Sequence, residues 1–390
     1  MKRYLGIVLG SCLALSCGGG GEHRQEAAFV ASPQKFTGKV QTLAIGDPAP
    51  DFRLPGVDGR WYTLADFSGA KVLAVVFTCN HCPTAQAYED RIQSVARDYR
   101  DRGVALVAIS PNSPLALLDE ECGYTDLGDT YEEMKIRAET RRFEFPYLYD
   151  GDTQLVAAAY GPTATPHVFV FDGERRLRYQ GRVDGSERPG SASAEDFRQA
   201  LDAVLDGQPV ASPVTKAFGC SVKWADEKTL AWKERVESQW RELPVELTEV
   251  DAAGVRELLA NSGSKLRLVN IWATWCGPCV IEYPEFIRIH RMFKDRDFEF
   301  ISLSADDPES REAVLKFLRE KHSAVRNLVF AGGDQYALIE AVDSGWNGAL
   351  PFTILVEPGG KAVYQVEGTI EPLALKRAIV DHPLIGRYYR

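Results

Sequence analysis

A two-domain α/β protein, each domain a mixed β-sheet flanked by helices, is the fold class this sequence predicts. Three observations predict it. An apolar run that ends in Cys-x-x-Cys and leads into a helical stretch occurs twice: Val72-Leu73-Ala74-Val75-Val76-Phe77-Thr78-Cys79-Asn80-His81-Cys82-Pro83 and Leu268-Val269-Asn270-Ile271-Trp272-Ala273-Thr274-Trp275-Cys276-Gly277-Pro278-Cys279. After each run strands alternate with helices and close on a hairpin, the order of a mixed sheet covered by helices. The length, 390 residues, exceeds one ordinary core.

The elements follow in order. Each opening apolar run reads as a buried strand running into a helix. In the first half a helix from Thr84 to Arg100 precedes a strand, Val104 to Ser110, and a second helix covers Thr130 to Glu144. A Thr165-Pro166 turn then opens a strand, His167 to Phe171, followed by the turn Asp172-Gly173, a strand from Leu177 to Val183 and a closing helix, Ala194 to Leu205. In the second half the predicted order is helix Val280 to Lys294, strand Phe298 to Ser302, helix Glu309 to Glu320, strand Asn327 to Phe330 and helix Gln335 to Val342. Leu350-Pro351 opens the strand Phe352 to Val356, Pro358-Gly359-Gly360 turns, and strand Ala362 to Val366 and helix Pro372 to Val380 close. The polar stretch Ser212 to Glu242 holds the boundary.

The composition, 45% apolar and 26% charged, is that of a globular protein, and a net charge of −10 argues against nucleic acid or an anionic membrane surface as a partner. Lys2-Arg3 followed by the apolar stretch Tyr4 to Ser16 reads as a targeting segment, shorter than the roughly 20 residues of a spanning helix. It resembles a bacterial lipoprotein signal with Cys17 as the lipidated residue. Leu9-Gly10-Ser11-Cys12 matches the usual pattern better but leaves a very short apolar core, and an ordinary cleaved signal is the alternative. Each of these exports the protein to the periplasm or cell envelope, with membrane contact only through the lipid anchor. The expected organisation is a signal at residues 1–17, a flexible tether at 18–40, a first domain at 41–230, a linker at 231–243 and a second domain at 244–390.

Cysteines at i and i+3 on the first turn of a helix lie close enough to form a disulfide, and the helix N-terminus favours a thiolate on the first. This is reversible dithiol/disulfide chemistry, present twice. Cys122 and Cys220 remain; they pair with each other or stay as thiols, and the sequence does not decide.

These residues resemble the thioredoxin superfamily over most of the mature chain, which implies two thioredoxin-like folds. Trp275-Cys276-Gly277-Pro278-Cys279-x-x-Glu282-x-Pro284 resembles the TlpA/ResA type of disulfide reductase. The first half resembles the redoxin/AhpC-TSA branch, peroxiredoxin-like proteins bearing Cys-x-x-Cys. The segments that carry this are Gly46-Asp47-Pro48-Ala49-Pro50-Asp51-Phe52, Phe77 to Pro83, Phe145-Pro146-Tyr147-Leu148-Tyr149-Asp150 and Gly219-Cys220-Ser221-Val222-Lys223-Trp224. By this resemblance Pro166 and Pro351 are cis-prolines facing the dithiols, on turns whose backbone groups pair with an extended substrate strand.

The resemblance implies catalytic roles for Cys79, Cys82, Cys276 and Cys279. Cys276 is the expected attacking thiolate, exposed at the helix start, and Cys279 the buried resolving thiol; likewise Cys79 attacks and Cys82 resolves. Asn270 stands where thioredoxin carries a buried aspartate, and Glu282 is the buried acid that TlpA-like proteins offer instead. Trp275 forms an apolar surface beside Cys276. His81, directly before the second cysteine, stabilises a thiolate as His⁺, which stabilises the reduced form and makes the first pair the more oxidising. Electrons then run from Cys276/Cys279 to Cys79/Cys82 if the domains dock.

The expected function is an exported thiol–disulfide oxidoreductase that reduces or exchanges protein disulfides, draws on an upstream thiol donor and requires no organic or metal cofactor. Two alternatives stand beside it. Peroxide reduction is disfavoured because neither Cys79 nor Cys82 carries the Pro-x-x-x-Thr-x-x-Cys spacing. A Sco-like copper chaperone site would use Cys79, Cys82, His81 and His167, although Sco proteins space their cysteines by three residues. His290 and His382 read as surface residues.

Overall fold

The computed structural model describes residues 40–343 and 345–388. The targeting segment, with Cys12 and Cys17, lies outside the described residues, as does nearly all of the tether. Two sheets organise the rest. The first domain contains β1 (Arg53–Pro55), β2 (Trp61–Thr63), β3 (Val72–Phe77), α1 (Pro83–Arg100), β4 (Val104–Ser110), α2 (Tyr131–Arg141), β5 (Tyr147–Tyr149), α3 (Leu155–Tyr160), β6 (His167–Phe171), β7 (Leu177–Gly181) and α4 (Glu195–Leu205). Its five-stranded sheet has the order β5-β4-β3-β6-β7, with β3, β4 and β5 parallel and β6 and β7 antiparallel. Every residue of β3 is buried, as a central strand covered on both faces requires.

The second domain follows α5 (Glu227–Glu242) and contains β8 (Thr248–Val250), α6 (Ala252–Ala260), β9 (Leu266–Trp272), α7 (Gly277–Phe293), β10 (Phe298–Ser304), α8 (Arg311–Glu320), β11 (Arg326–Phe330), α9 (Gln335–Val342), β12 (Phe352–Val356), β13 (Ala362–Glu367) and α10 (Pro372–Val380). Its six-stranded sheet runs β13-β12-β9-β10-β11-β8, again parallel on one side of the central strand and antiparallel on the other. Both domains therefore have the thioredoxin-like plan: a central strand leading into a helix, and an antiparallel hairpin entered through a proline turn. The Thr165-Pro166 and Leu350-Pro351 peptide bonds are both cis.

The segment 231–243, expected as a linker, is almost entirely helix α5. Asp226 caps it by accepting a hydrogen bond from the Thr229 N–H at 2.8 Å. None of its residues is buried, although Trp232, Val236 and Trp240 fall on one face at helical spacing. It bridges the domains instead: Lys233 donates to the Leu117 carbonyl at 2.9 Å, and the Trp240 indole donates to Glu120. Around it, the short turn Asp119–Cys122 packs on the distal half of α7. Arg288 pairs with Asp119 at 3.2 Å, and Arg296 donates to the Gly123 carbonyl at 2.6 Å. Asp126 accepts from Arg377 at 2.8 Å and from Arg387 at 2.5 Å. Cys122 joins the apolar cluster of the second domain, with Phe286 and Met292. His290, expected at the surface, lies in the same interface with its ring 6.0 Å from Trp240.

Candidate active sites

In the second domain β9 ends at Trp272, and Cys276 is the N-cap of α7, its sulfur accepting from the Cys279 N–H at 3.3 Å. Cys276 and Cys279 are joined in a disulfide. Cys276 is only 6% exposed, less than expected of an attacking group, whereas Trp275 beside it is 66% exposed and Ile281 on the same helix 81%. Trp275 thus offers an apolar surface next to the dithiol. Thr274 is fixed by Asp306, which accepts from its N–H at 2.9 Å and from its hydroxyl at 2.5 Å. Glu282 lies one turn beyond Cys279 on the same side of α7. One of its oxygens accepts from the Ile370 N–H at 2.9 Å, and the other is buried with no partner. Burial raises its carboxyl to about 7. Asn270 donates to the Thr353 hydroxyl at 3.1 Å.

In the first domain the helix begins three residues later relative to the motif. Cys82, not Cys79, is the N-cap of α1, and its sulfur accepts from the Ala85 N–H at 3.4 Å. Sheet register makes the correspondence firm. Phe77 pairs with His167, the residue after the cis-proline, and Ile271 pairs with Phe352, the residue after the other. Counting five residues on from each partner reaches Cys82 in one domain and Cys276 in the other. Cys82 therefore occupies the position of Cys276, Cys79 that of Ala273, and Ala85 that of Cys279.

The expected place of Cys79 at the helix start is accordingly corrected: Cys82 holds it. Cys79 is not at the helix tip. It is 2% exposed, its sulfur 3.1 Å from the Thr165 hydroxyl. Burial, then its hydrogen bond to Cys82 and the negative charge of Asp129, pushes its thiol well up. Cys82 has the opposite environment. Burial opposes its ionisation, but hydrogen bonds from the Cys220 and Cys79 thiols, the nearby His81 imidazolium and the Ala85 N–H outweigh it, and the thiol ionises well below its usual range. The Cys220 N–H adds a further donor at 3.2 Å. The Thr165 carbonyl, 3.2 Å away, accepts from the protonated form of Cys82 and pulls the other way.

His81 owes its charge to Asp129. Burial favours the neutral ring, but the Asp129 carboxylate, 2.5 Å from Nδ1, reverses that and raises the imidazolium. Asp129 also accepts from the N–H groups of Asn80 and His81 at 2.9 and 3.1 Å and from the Asn112 amide at 2.7 Å. Cys79, His81 and Asp129 lie close enough together to suggest a metal site, but both Asp129 oxygens are already engaged in these bonds. His167 is engaged as well: Nδ1 accepts from the Thr163 N–H at 3.2 Å and Nε2 meets Gln180 at 2.8 Å. His167 is not among the residues that gather with Cys79 and His81. Cys122 and Cys220 do not pair either, one lying in the domain interface and the other beside Cys82.

The AhpC/TSA family model matches residues 45–180, and the Redoxin family model matches residues 245–375. The chain is a tandem of two thioredoxin-superfamily domains. Among curated proteins, the thiol-disulfide oxidoreductase ResA of Bacillus subtilis (strain 168) is 33% identical over 120 residues, 31% of this chain and 63% of that protein. The chain thus spans less than two thirds of that relative's length. A hypothetical protein of Sinorhizobium meliloti 1021, known as a crystal structure, is 36% identical and covers 48% of this chain and 97% of its own, with a TM-score of 0.42. The crystal structure of peroxidoxin BcpB from Mycobacterium tuberculosis is 20% identical and covers 42% of this chain and 97% of its own, with a TM-score of 0.32.

Within the AhpC/TSA domain three contributors went unrecognised in the sequence: Asp129, Thr165 and Cys220. Asp129 has no motif around it, and nothing short of the fold brings it to His81. Cys220 had a signal, since it falls in the Gly219 to Trp224 segment that carries the resemblance. In the Redoxin domain Trp275, Cys276, Cys279 and Glu282 lie about the start of α7, and Pro351 precedes Phe352, which pairs with Ile271 of the strand leading to it.

Proposed function

We propose that this chain is an exported thiol–disulfide oxidoreductase that reduces or exchanges protein disulfides at two separate sulfur centres. One observation carries the reading: in both domains a cysteine caps the helix that follows the central strand, five residues beyond the partner of the residue after a cis-proline. A cap sulfur that accepts backbone N–H bonds at a helix N-terminus is stabilised as thiolate, the attacking species of disulfide exchange. The likeness to the thiol-disulfide oxidoreductase ResA supports the same chemistry. Export and lipid attachment at Cys17 rest on the targeting segment alone.

Transfer of electrons between the domains is the finer part of the proposal. The first domain grips α7 from Arg288 onward, roughly 18 Å along the helix from Cys276 at 1.5 Å per residue. Sulfur-to-sulfur exchange between the domains would bring a first-domain sulfur to the opposite end of α7 from these contacts.

The test is reduction of insulin disulfides by the purified chain with dithiothreitol as donor. The wild type accelerates it, Cys276→Ser lowers the rate at least tenfold, and hydrogen peroxide is consumed no faster than in buffer. A rate unchanged by Cys276→Ser and by Cys82→Ser contradicts the reading.

A further inference from the structure

The turn at the cis-proline of the first domain is already occupied, and by this chain. Thr165 donates its N–H to the Cys220 carbonyl at 2.9 Å, and the two residues form an antiparallel bridge. The Thr165 hydroxyl lies 3.4 Å from the same carbonyl. A backbone edge bonded to an extended segment in this way is the arrangement by which a peptide adds to a sheet. The segment places a cysteine directly against Cys82: the Cys220 N–H meets the Cys82 sulfur at 3.2 Å, and Cys79, Cys82 and Cys220 pack together in one cluster.

The segment is built to stay there. Downstream, Lys223 donates its N–H to Asn112 at 2.9 Å, and its carbonyl accepts from the Ser113 N–H at 3.0 Å and from Gln154 at 2.9 Å. Upstream, Gly219 adopts φ +140°, and a Cβ there would sit 2.1 Å from the Thr165 carbonyl oxygen, so only glycine permits the close approach. Beneath this strap Cys82 has no exposed surface. No comparable segment crosses the Leu350-Pro351 turn among the described residues, and there the i+3 residue is Cys279 where the first domain has Ala85.

We infer that Cys220 is the resolving cysteine of the first domain, held on the cis-proline turn as an internal stand-in for a substrate strand, so that oxidation of this domain closes a Cys82–Cys220 disulfide. The inference rests on the oxidoreductase reading above. The step balances. The Cys82 thiolate attacks a substrate disulfide, forming a mixed disulfide and expelling one substrate thiolate, which takes the proton of the Cys220 thiol. The Cys220 thiolate then attacks the Cys82 sulfur, the Cys82–Cys220 bond forms, and the second substrate thiolate leaves. Two electrons pass from the protein pair to the substrate disulfide, whose reduction is the only oxidising input. The strap moves aside for the first attack and returns for the second, so it is lid and resolving group together.

The experiment uses the full chain, reduced and then exposed to oxidised glutathione, quenched by alkylation and mapped by peptide mass spectrometry. The expected product links Cys82 to Cys220, and it forms equally in Cys79→Ser. In Cys220→Ser the Cys82–glutathione mixed disulfide persists at least tenfold longer than in the wild type. Gly219→Ala, which displaces the strap without removing a thiol, speeds alkylation of Cys82 in the reduced protein at least tenfold. A wild-type product linking Cys79 to Cys82, with resolution unaffected by Cys220→Ser, overturns the inference and leaves the oxidoreductase reading standing. A Cys82 that never forms a mixed disulfide overturns both.

Discussion

Cys82 shows how the cost of ionising a buried sulfur is offset without a solvent contact. Its support is the chain His81–Asp129, in which a carboxylate holds an imidazolium that burial would otherwise discharge. His81 is raised above 6.5 and Asp129 lowered below 3.8. The pair's contribution to stability is therefore complete between those values. It is lost as pH rises through the folded value of the imidazolium, and as pH falls through that of the carboxylate. Asp129→Asn removes the charge that keeps His81 protonated. The pH midpoint for alkylation of Cys82 by iodoacetamide should rise by at least one unit, about 1.4 kcal/mol of thiolate stabilisation. Thermal unfolding should show a loss of about 1–3 kcal/mol, the usual cost of a buried group that loses its hydrogen-bond partner. An unchanged alkylation profile would remove His81 from the account. Glu282 is the corresponding group of the second domain, working in the opposite sense. Its carboxyl is raised from 4.5 to about 7 by burial. The proton it binds favours the fold fully below about pH 4.5, and that support fades as pH rises through 7. If Glu282 takes the Cys279 proton during resolution, the single-turnover rate of the second centre rises with pH through an inflection near 7, and Glu282→Gln abolishes the inflection.

At the scale of elements, the strand-to-helix junction decides which cysteine caps the helix, and the two domains solve it differently. The spacing Cys-x-x-Cys was legible in the sequence, as were most strands and helices, because buried strands such as β3 and β12 are continuous apolar runs. The start of the helix was not. Pro83 in the first turn of α1 and Pro278 in that of α7 stand at different distances from their motifs' first cysteines, so the same four-residue spacing falls before the helix in one domain and across its first turn in the other. Short strands such as β5 and β8 were also missed, being three residues each and defined by their partners rather than by a pattern of their own. Helix α5 was placed within the boundary segment, which is polar and helix-prone in its later part, and none of its residues is buried. Its value lies in Trp240, whose ring lies under Arg291 and Lys294 at 5.1 and 5.9 Å. Trp240→Ala should loosen the interface. His290, now held at about 4 by burial and by those two cations, should titrate at least one unit higher by NMR. A His290 that does not move shows that α5 does not seal the interface.

For the molecule as a whole, two centres of unequal character sit in one chain. The first has its thiolate stabilised by His81, two backbone N–H groups and a helix tip; the second has a disulfide beside an exposed tryptophan and a carboxyl of raised affinity for protons. Stabilising a thiolate stabilises the reduced form and raises the potential, and about 30 mV corresponds to 1.4 kcal/mol for a two-electron couple. The domains dock through Asp126, Arg377, Arg387 and the turn at Cys122, on the half of α7 away from Cys276. The most direct measurement is an equilibrium redox titration of the intact protein, with each cysteine's state read by differential alkylation and mass spectrometry. Two separate two-electron transitions are predicted, with the midpoint of the Cys82 centre on the order of 100 mV above that of Cys276/Cys279. A first-domain midpoint at or below the second, or sulfur atoms that do not switch in either domain, would contradict it.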